Sequence, residues 1–417
     1  MHRHTRLLRP LAFSVAVTVA GLLGACSDLL TVTNQGPIED SKLQSVAAIP
    51  GFVGGMSGDL SNALDELVRI TAITTDELTH GGSYTGEGLW YRGIINYQDI
   101  NDQWSLMQRA RWVAESGIER MKTVSGFTYD TDPLASRANL LAGFANRLQG
   151  ENNCKAVIDS SPAQSDSVHF QRAEAYFTET IRIAGTKVAS ASYLTAAYGG
   201  RAAARASLGN WAGAVADAAQ VPASFVYVSP FSLNSFRENN SLVQETYVRR
   251  EFTVFNTPWA KVFGDPRVPW DTIYTNSTKT VVQKGQDGKT NFFRQAKYID
   301  LGADIPLTKG TEMLMLRAEA ALRTGDIAGA FALINQQRAQ YKMVALIPPT
   351  TLTAAWRMLQ TEYGAVVWIE ARRLWQFRRW SATPVADPAH ITSLDGRASC
   401  IPISLQETQS NPRLSGG

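Results

Sequence analysis

The sequence predicts a mostly α-helical protein built from tetratricopeptide-type hairpins, with an inserted loop-rich region that contains short strands. Three observations carry that expectation. The first is a near-duplicated turn. Ala204-Arg-Ala-Ser-Leu-Gly209-Asn210-Trp-Ala-Gly-Ala-Val-Ala216 matches Ala318-Glu-Ala-Ala-Leu-Arg-Thr-Gly325-Asp326-Ile-Ala-Gly-Ala-Phe-Ala332 in its turn chemistry. In both, a glycine can take the left-handed conformation that ends one helix, and the Asn or Asp after it can cap the next. The second is the alanine content of these stretches, which lets antiparallel helices approach closely. The third is a change of composition between Pro222 and Pro306, where Asn, Thr, Pro and aromatics rise and alanine falls.

Taken in order, the chain opens with a basic segment, His2 to Arg9, then an apolar run from Leu11 to Leu23, then Leu23-Gly24-Ala25-Cys26. The run is too short to span a bilayer comfortably and leads into a small-residue cleavage site, so residues 1–25 read as a signal peptide. The last four residues resemble the lipobox of bacterial lipoproteins, in which Cys26 would carry the lipid. Residues 26–58 form a tether and N-terminal segment. The irregular glycines Gly51, Gly54, Gly55 and Gly58 read as a flexible approach to the first helix.

A helix is expected over Asp59–Leu78, with Leu60, Ala63, Leu64, Leu67, Val68 and Thr71 on one face. The Gly-rich stretch from His80 to Arg92 follows as a loop. Asp99 or Asn101 is expected to cap a helix reaching Thr123, and Asp132-Pro133 to start another in the order cap, then proline. Further helices cover 168–188 and 193–221, which closes an N-terminal helical part, 59–221. The insertion occupies 222–308. Periodicity returns in a C-terminal helical part, 309–417, with helices through Tyr341 and from Thr350 to Trp380.

Charge and cysteine content narrow the class. Of 40 Lys and Arg, three lie in the leader as Arg3, Arg6 and Arg9, which leaves 37 basic residues against 37 acidic ones. A formally neutral body gives no basic face for nucleic acid. Cys154 and Cys400 remain after Cys26. In an exported protein they could pair, or stand as two separate buried thiols.

Several motifs, in order, are similar to those of the SusD/RagB family of outer-membrane nutrient-binding lipoproteins. After the lipobox comes Asp28-Leu-Leu-Thr-Val-Thr-Asn34. Asp265-Pro266-Arg267 precedes Lys297-Tyr298. Leu316-Arg-Ala-Glu-Ala320 leads to Gly325-Asp326 and Ile334-Asn335-x-x-Arg338. Glu370-Ala-Arg-Arg373 runs on to Arg379-Trp380, and Ile401-Pro402-Ile403 is followed by Glu407 and Asn411-Pro412. The chain departs from the pattern at Ala371, where glycine is expected, at Gln376, at Ser404 and at Glu115. The resemblance implies that hairpins from both halves pack as one large body. It implies a partner, a SusC-like TonB-dependent transporter on which the protein sits as a lid, and an oligosaccharide or peptide ligand held by inserted loops. The membrane is reached through the lipid anchor alone.

No reactive constellation stands out. His80, His169 and His390 have no metal-ligand spacing, and there is no phosphate loop or nucleophile elbow. The reading is therefore a non-catalytic binding protein without metal or cofactor, with a helical-repeat scaffold for protein partners as the alternative. Sugar sites pair aromatic platforms with hydrogen-bonding groups. The loop offers Tyr84, Trp90, Tyr91, Arg92 and Asn96 beside Asp76 and Glu77, and the insertion offers Trp259, Trp270 and Tyr274. Core or loop packing competes as the reading for each aromatic, with more weight at Trp259 and Trp270 than at Trp90. Trp104, Trp112, Trp211, Trp368, Trp375 and Trp380 read as scaffold. Arg372, Arg373, Arg378 and Arg379 read as structural ion pairs, with Glu319 or Glu370 as partners.

Overall fold

Each of the two duplicated turns closes a helical hairpin, and they do so with the same atoms. The computed structural model describes residues 44–185, 187–381, 387–391 and 394–414; the leader and Cys26 lie outside them. Gly209 and Gly325 both have φ of 81°. Asn210 accepts from the Gly213 N–H at 3.0 Å and Asp326 from the Gly329 N–H at 2.8 Å. A short polar side chain thus satisfies an orphan donor at each helix start.

The body, Val46–Gly417, begins with α1 (Ile49–Thr74), β1 (Thr79–His80), α2 (Thr85–Tyr91), α3 (Asn101–Thr123) and α4 (Pro133–Asn152). Strands β2 (Lys155–Ala156) and β3 (Gln164–Ser165) form a small hairpin. They are followed by α5 (Ser167–Ala184), α6 (Ala191–Ser207) and α7 (Trp211–Ala218). The insertion supplies β4 (Val226–Ser229), β5 (Phe252–Thr253), β6 (Trp270–Thr272) and β7 (Phe293–Gln295). After β8 (Ile305–Lys309) come α8 (Gly310–Arg323), α9 (Ile327–Gln340), α10 (Leu352–Val366), α11 (Arg373–Ser381) and α12 (Leu405–Ser410). The strands pair antiparallel in twos, β1 with β5, β2 with β3, β4 with β8 and β6 with β7.

Helix α1 starts ten residues before the expected Asp59. Its glycines 51, 54, 55 and 58 sit on the solvent side, while Ile49, Val53 and Met56 are buried. Burial of three large apolar side chains outweighs roughly 1 kcal/mol per helical glycine. Helix α3 begins after Ile100 with no side-chain cap, so neither Asp99 nor Asn101 caps it. Asp132 does cap α4, accepting from the Leu134 N–H at 2.8 Å, with Pro133 first in the helix.

Helix α4 is the centre of the N-terminal part. It packs on α1, α3, α5 and α6, and nearly every one of its residues is buried. Close approach depends on small residues on both sides of one ring. A Cβ at Gly143 of α4 would fall 2.6 Å from the Phe177 ring, and one at Gly200 of α6 would fall 2.3 Å from it. The α6–α7 hairpin packs against α8, so the two duplicated units meet in one core.

That core is stitched by buried ion pairs. Arg147 is fully buried and donates to Glu151 at 2.6 Å and Glu312 at 2.7 Å. Arg372 donates to Glu151 at 2.5 Å. Charges so desolvated persist only when paired and hydrogen-bonded. Arg379 pairs with Glu319 as expected, and Arg378 pairs with Asp166. Glu370 takes Lys297 and Lys309 instead of an arginine, at 2.6 and 2.5 Å. Cys154 and Cys400 are joined in a disulfide with Cα atoms 5.0 Å apart.

Candidate functional site

The end of α1 and the glycine-rich stretch after it build a cavity. Strand β1 pairs Thr79 with Thr253 and His80 with Phe252. The Gly81 N–H then donates to the Glu251 carbonyl at 2.8 Å. Gly82 is required here, because a Cβ would lie 1.8 Å from the Glu251 carboxylate. Ser83 holds that carboxylate through its N–H at 2.7 Å and its hydroxyl at 3.3 Å. The chain thus turns into α2, which was expected to be loop and is a two-turn helix carrying Glu87 and Trp90.

Arg69 of α1, Tyr84, Gly86, Glu87, Trp90, Asp99 and Glu245 line an open cavity of about 370 Å³. Arg69 donates to Glu66 at 2.8 Å and to Glu87 at 2.7 Å, and stands 3.9 Å from Glu245. Burial pushes the Glu87 and Glu245 carboxyls up to about 7, with Arg69 opposing it. Burial likewise raises Asp65 of α1 to about 7, against its bonds from Ser241. The Arg249 guanidinium lies 4.6 Å from the centre of the Tyr84 ring, which remains 37% exposed.

Of the residues expected to bind, Tyr84 and Trp90 are brought together here. Trp90 is 6% exposed and meets the cavity as part of its wall rather than as a free platform. Tyr91 is half-buried and its carbonyl accepts from Arg397 at 2.5 Å. Arg92 folds back on the Gly88 carbonyl at 3.2 Å, and Asn96 donates to Asp99 at 3.1 Å. None of these three lines the cavity. Trp270 stacks on Phe293 at 4.9 Å and meets Phe263 edge-on at 5.2 Å. Tyr274 is 38% exposed on its own bridge to Val282.

Trp259 has no face to offer a ligand. It is buried under Gly364, where a Cβ would fall 2.6 Å from its ring, and lies 5.6 Å from the Arg373 guanidinium. Asp76 and Glu77 are structural as well. Asp76 receives both ends of the Arg373 fork at 2.8 Å, and Glu77 accepts from the Ile369 N–H at 2.6 Å.

Trp112 departs from the scaffold reading. It is 55% exposed on α3 and lines a polar cavity of about 390 Å³ with Trp104, Gln108, Arg109, Asp159 and Glu407. Arg69, Glu87 and Glu245 of the first cavity are not among the site residues the sequence suggests, and Asp99 enters there only as a candidate helix cap. Glu87, set between two glycines close to Trp90, was the available signal.

A helical frame of paired antiparallel helices with ligand-sized hollows among its loops defines the class, a tetratricopeptide-type scaffold bearing inserted loops. No family model matches the sequence, and no curated protein matches it. Solved structures do match. A SusD-like protein from Bacteroides fragilis superposes with a TM-score of 0.66 at 13% identity, over 90% of this chain and 97% of that one. A SusD/RagB family protein from Bacteroides thetaiotaomicron gives 0.64 at 12%, over 87% and 94%. A SusD-like carbohydrate-binding protein from Bacteroides vulgatus gives 0.62 at 16%, over 80% and 83%. The fold of this chain is that of the SusD-like proteins.

Proposed function

We propose that this chain is a lipid-anchored outer-membrane protein that binds an oligosaccharide and hands it to a SusC-like TonB-dependent transporter. One observation carries the reading. The glycine-rich stretch after α1 sets an exposed Tyr84, the wall of Trp90 and a set of charged hydrogen-bonders around one open cavity. It does so on a fold shared with a protein described as carbohydrate-binding. In this reading the helical parts, 59–221 and 309–417, face the barrel, while the α1 loop and the insertion 222–308 face the ligand. The leader and Cys26 support the anchor, and among the described residues no helix is long and apolar enough to cross a membrane.

The mechanism is capture rather than bond-making. A sugar ring lies on the exposed part of Tyr84, and its hydroxyls meet Arg69, Glu87, Glu245 and Asp99. Above about pH 7, where Glu87 and Glu245 ionise, these carboxylates and Asp99 in the cavity lining disfavour uronic and other acidic sugars by like-charge repulsion, so neutral or amino sugars fit best. A glycan and peptide array with purified protein tests this. Tyr84→Ala is expected to weaken the best glycan by about tenfold, with an unchanged circular dichroism spectrum. Binding of peptides alone, turnover of the ligand, or a Tyr84→Ala protein that binds normally would each overturn the reading.

A further inference from the structure

We propose that His80, Glu87 and Glu251 form a site for one divalent cation of the zinc class. Each residue offers one ligand atom, and the three atoms lie within 4.8 Å of one another. They reach this point from separate segments: strand β1, helix α2 and the residue before β5. The pairing of β1 with β5 and the bare backbone of Gly82 make the meeting possible. At Gly88 a Cβ would stand 3.6 Å from the His80 ring, so the imidazole also rests against a glycine.

Unanswered donors point to a ligand. Glu87 is 6% exposed; Arg69 holds its Oε1 at 2.7 Å, while its Oε2 is buried without a hydrogen-bond partner. The Nε2 of His80 is buried without a partner too. Glu87 Oε2 and His80 Nε2 are thus left with lone pairs that no protein group satisfies. Glu251, held by Ser83 at 2.7 and 3.3 Å and standing 3.8 Å from Arg249, brings a second carboxylate to the same place. A cation answers the two unpartnered atoms and takes the third as an added ligand. The histidine selects the ion. Imidazole nitrogen suits zinc and its neighbours copper, iron and nickel, whereas calcium, magnesium and manganese favour oxygen ligands. The N–H and hydroxyl of Ser83 orient Glu251 from outside, as groups behind metal ligands commonly do. Metal–ligand bonds of about 2.0–2.2 Å place tetrahedral donors roughly 3.3–3.6 Å apart, so donors standing as far as 4.8 Å apart would close by about 1 Å or somewhat more on loading. Loading the site would therefore tie β1, α2 and the chain before β5 together behind the wall that carries Tyr84 and Trp90. The proposal stands whether or not a sugar binds beside it.

The test uses untagged protein starting at Ser27, stripped with EDTA and titrated calorimetrically with Zn²⁺, Mn²⁺ and Ca²⁺ in the absence of sugar. One equivalent of Zn²⁺ is expected, with Ca²⁺ weaker by at least about tenfold. His80→Asn and Glu87→Gln are each expected to lower Zn²⁺ affinity by about tenfold or more. No saturable binding by the parent protein overturns the proposal, and so does binding unchanged in both variants. Should a variant fail to fold, zinc K-edge absorption on the loaded parent protein decides. A shell of imidazole and oxygen supports the site, and a shell lacking imidazole sinks it. Tyr84→Ala touches none of the three ligands, so failure of sugar capture and failure of this site are read separately.

Discussion

Glu77 makes stability depend on pH in a direction opposite to that of most carboxylates. The residue follows α1, is wholly buried, and accepts from the Ile369 N–H through Oε1 while Oε2 has no partner. Burial pushes its carboxyl from an ordinary 4.5 up to about 8, with Asp76 adding to the rise and the Ile369 bond, Arg373 and Lys297 opposing it. The folded state therefore holds this proton more tightly than the unfolded chain. The stabilisation is fully present below 4.5 and is lost as pH rises through about 8. The whole window is worth on the order of 5 kcal/mol. Glu77→Gln keeps an acceptor for Ile369 and cannot ionise. Urea unfolding of both proteins at pH 5 and pH 9 should show the parent losing about 4 kcal/mol relative to the variant across that interval. Asp65, Glu87 and Glu245 are raised in the same sense, but they are present in both proteins and cancel in the difference. Parallel pH profiles would refute the reasoning.

Other outcomes follow from the packing. Ala371 has φ of 58°, so Ala371→Gly should stabilise by about 1 kcal/mol in urea unfolding. Phe177→Ala empties the slot between Gly143 and Gly200 and should cost about 3–5 kcal/mol by the same measurement. Cys154→Ser with Cys400→Ser opens a loop of 246 residues and should cost about 2–5 kcal/mol, read as a lower urea midpoint.

The frame was readable in sequence because its signals are local. A glycine with a capping residue after it, and a cap followed by proline, act within one turn of helix, and Gly209, Gly325 and Asp132 do what their neighbours imply. The start of α1 was not readable, since the burial that overrides its glycines comes from helices far along the chain. The site was half readable for the same reason. Tyr84 and Trp90 announce themselves among glycines, but Glu245 reaches the cavity from a segment far along the chain that docks on α1 where the Ser241 N–H donates to Asp65. Asp76 and Glu77 looked available to a ligand because sequence cannot tell an exposed carboxylate from one that holds Arg373 or the Ile369 backbone. Trp112 carries the spacing of a packed helix residue and yet faces solvent.

The link between Cys154 and Cys400 has a consequence for how damage to this protein would look. The connection between α9 and α10 exposes Val344 and Ile347 almost completely, at 83% and 87%, the kind of stretch proteases cut first. A cut there falls inside the covalent ring, so the two pieces stay fastened and run as one species on a gel until a reductant separates them. A nicked molecule in an oxidising compartment would keep its halves in register and its core closed.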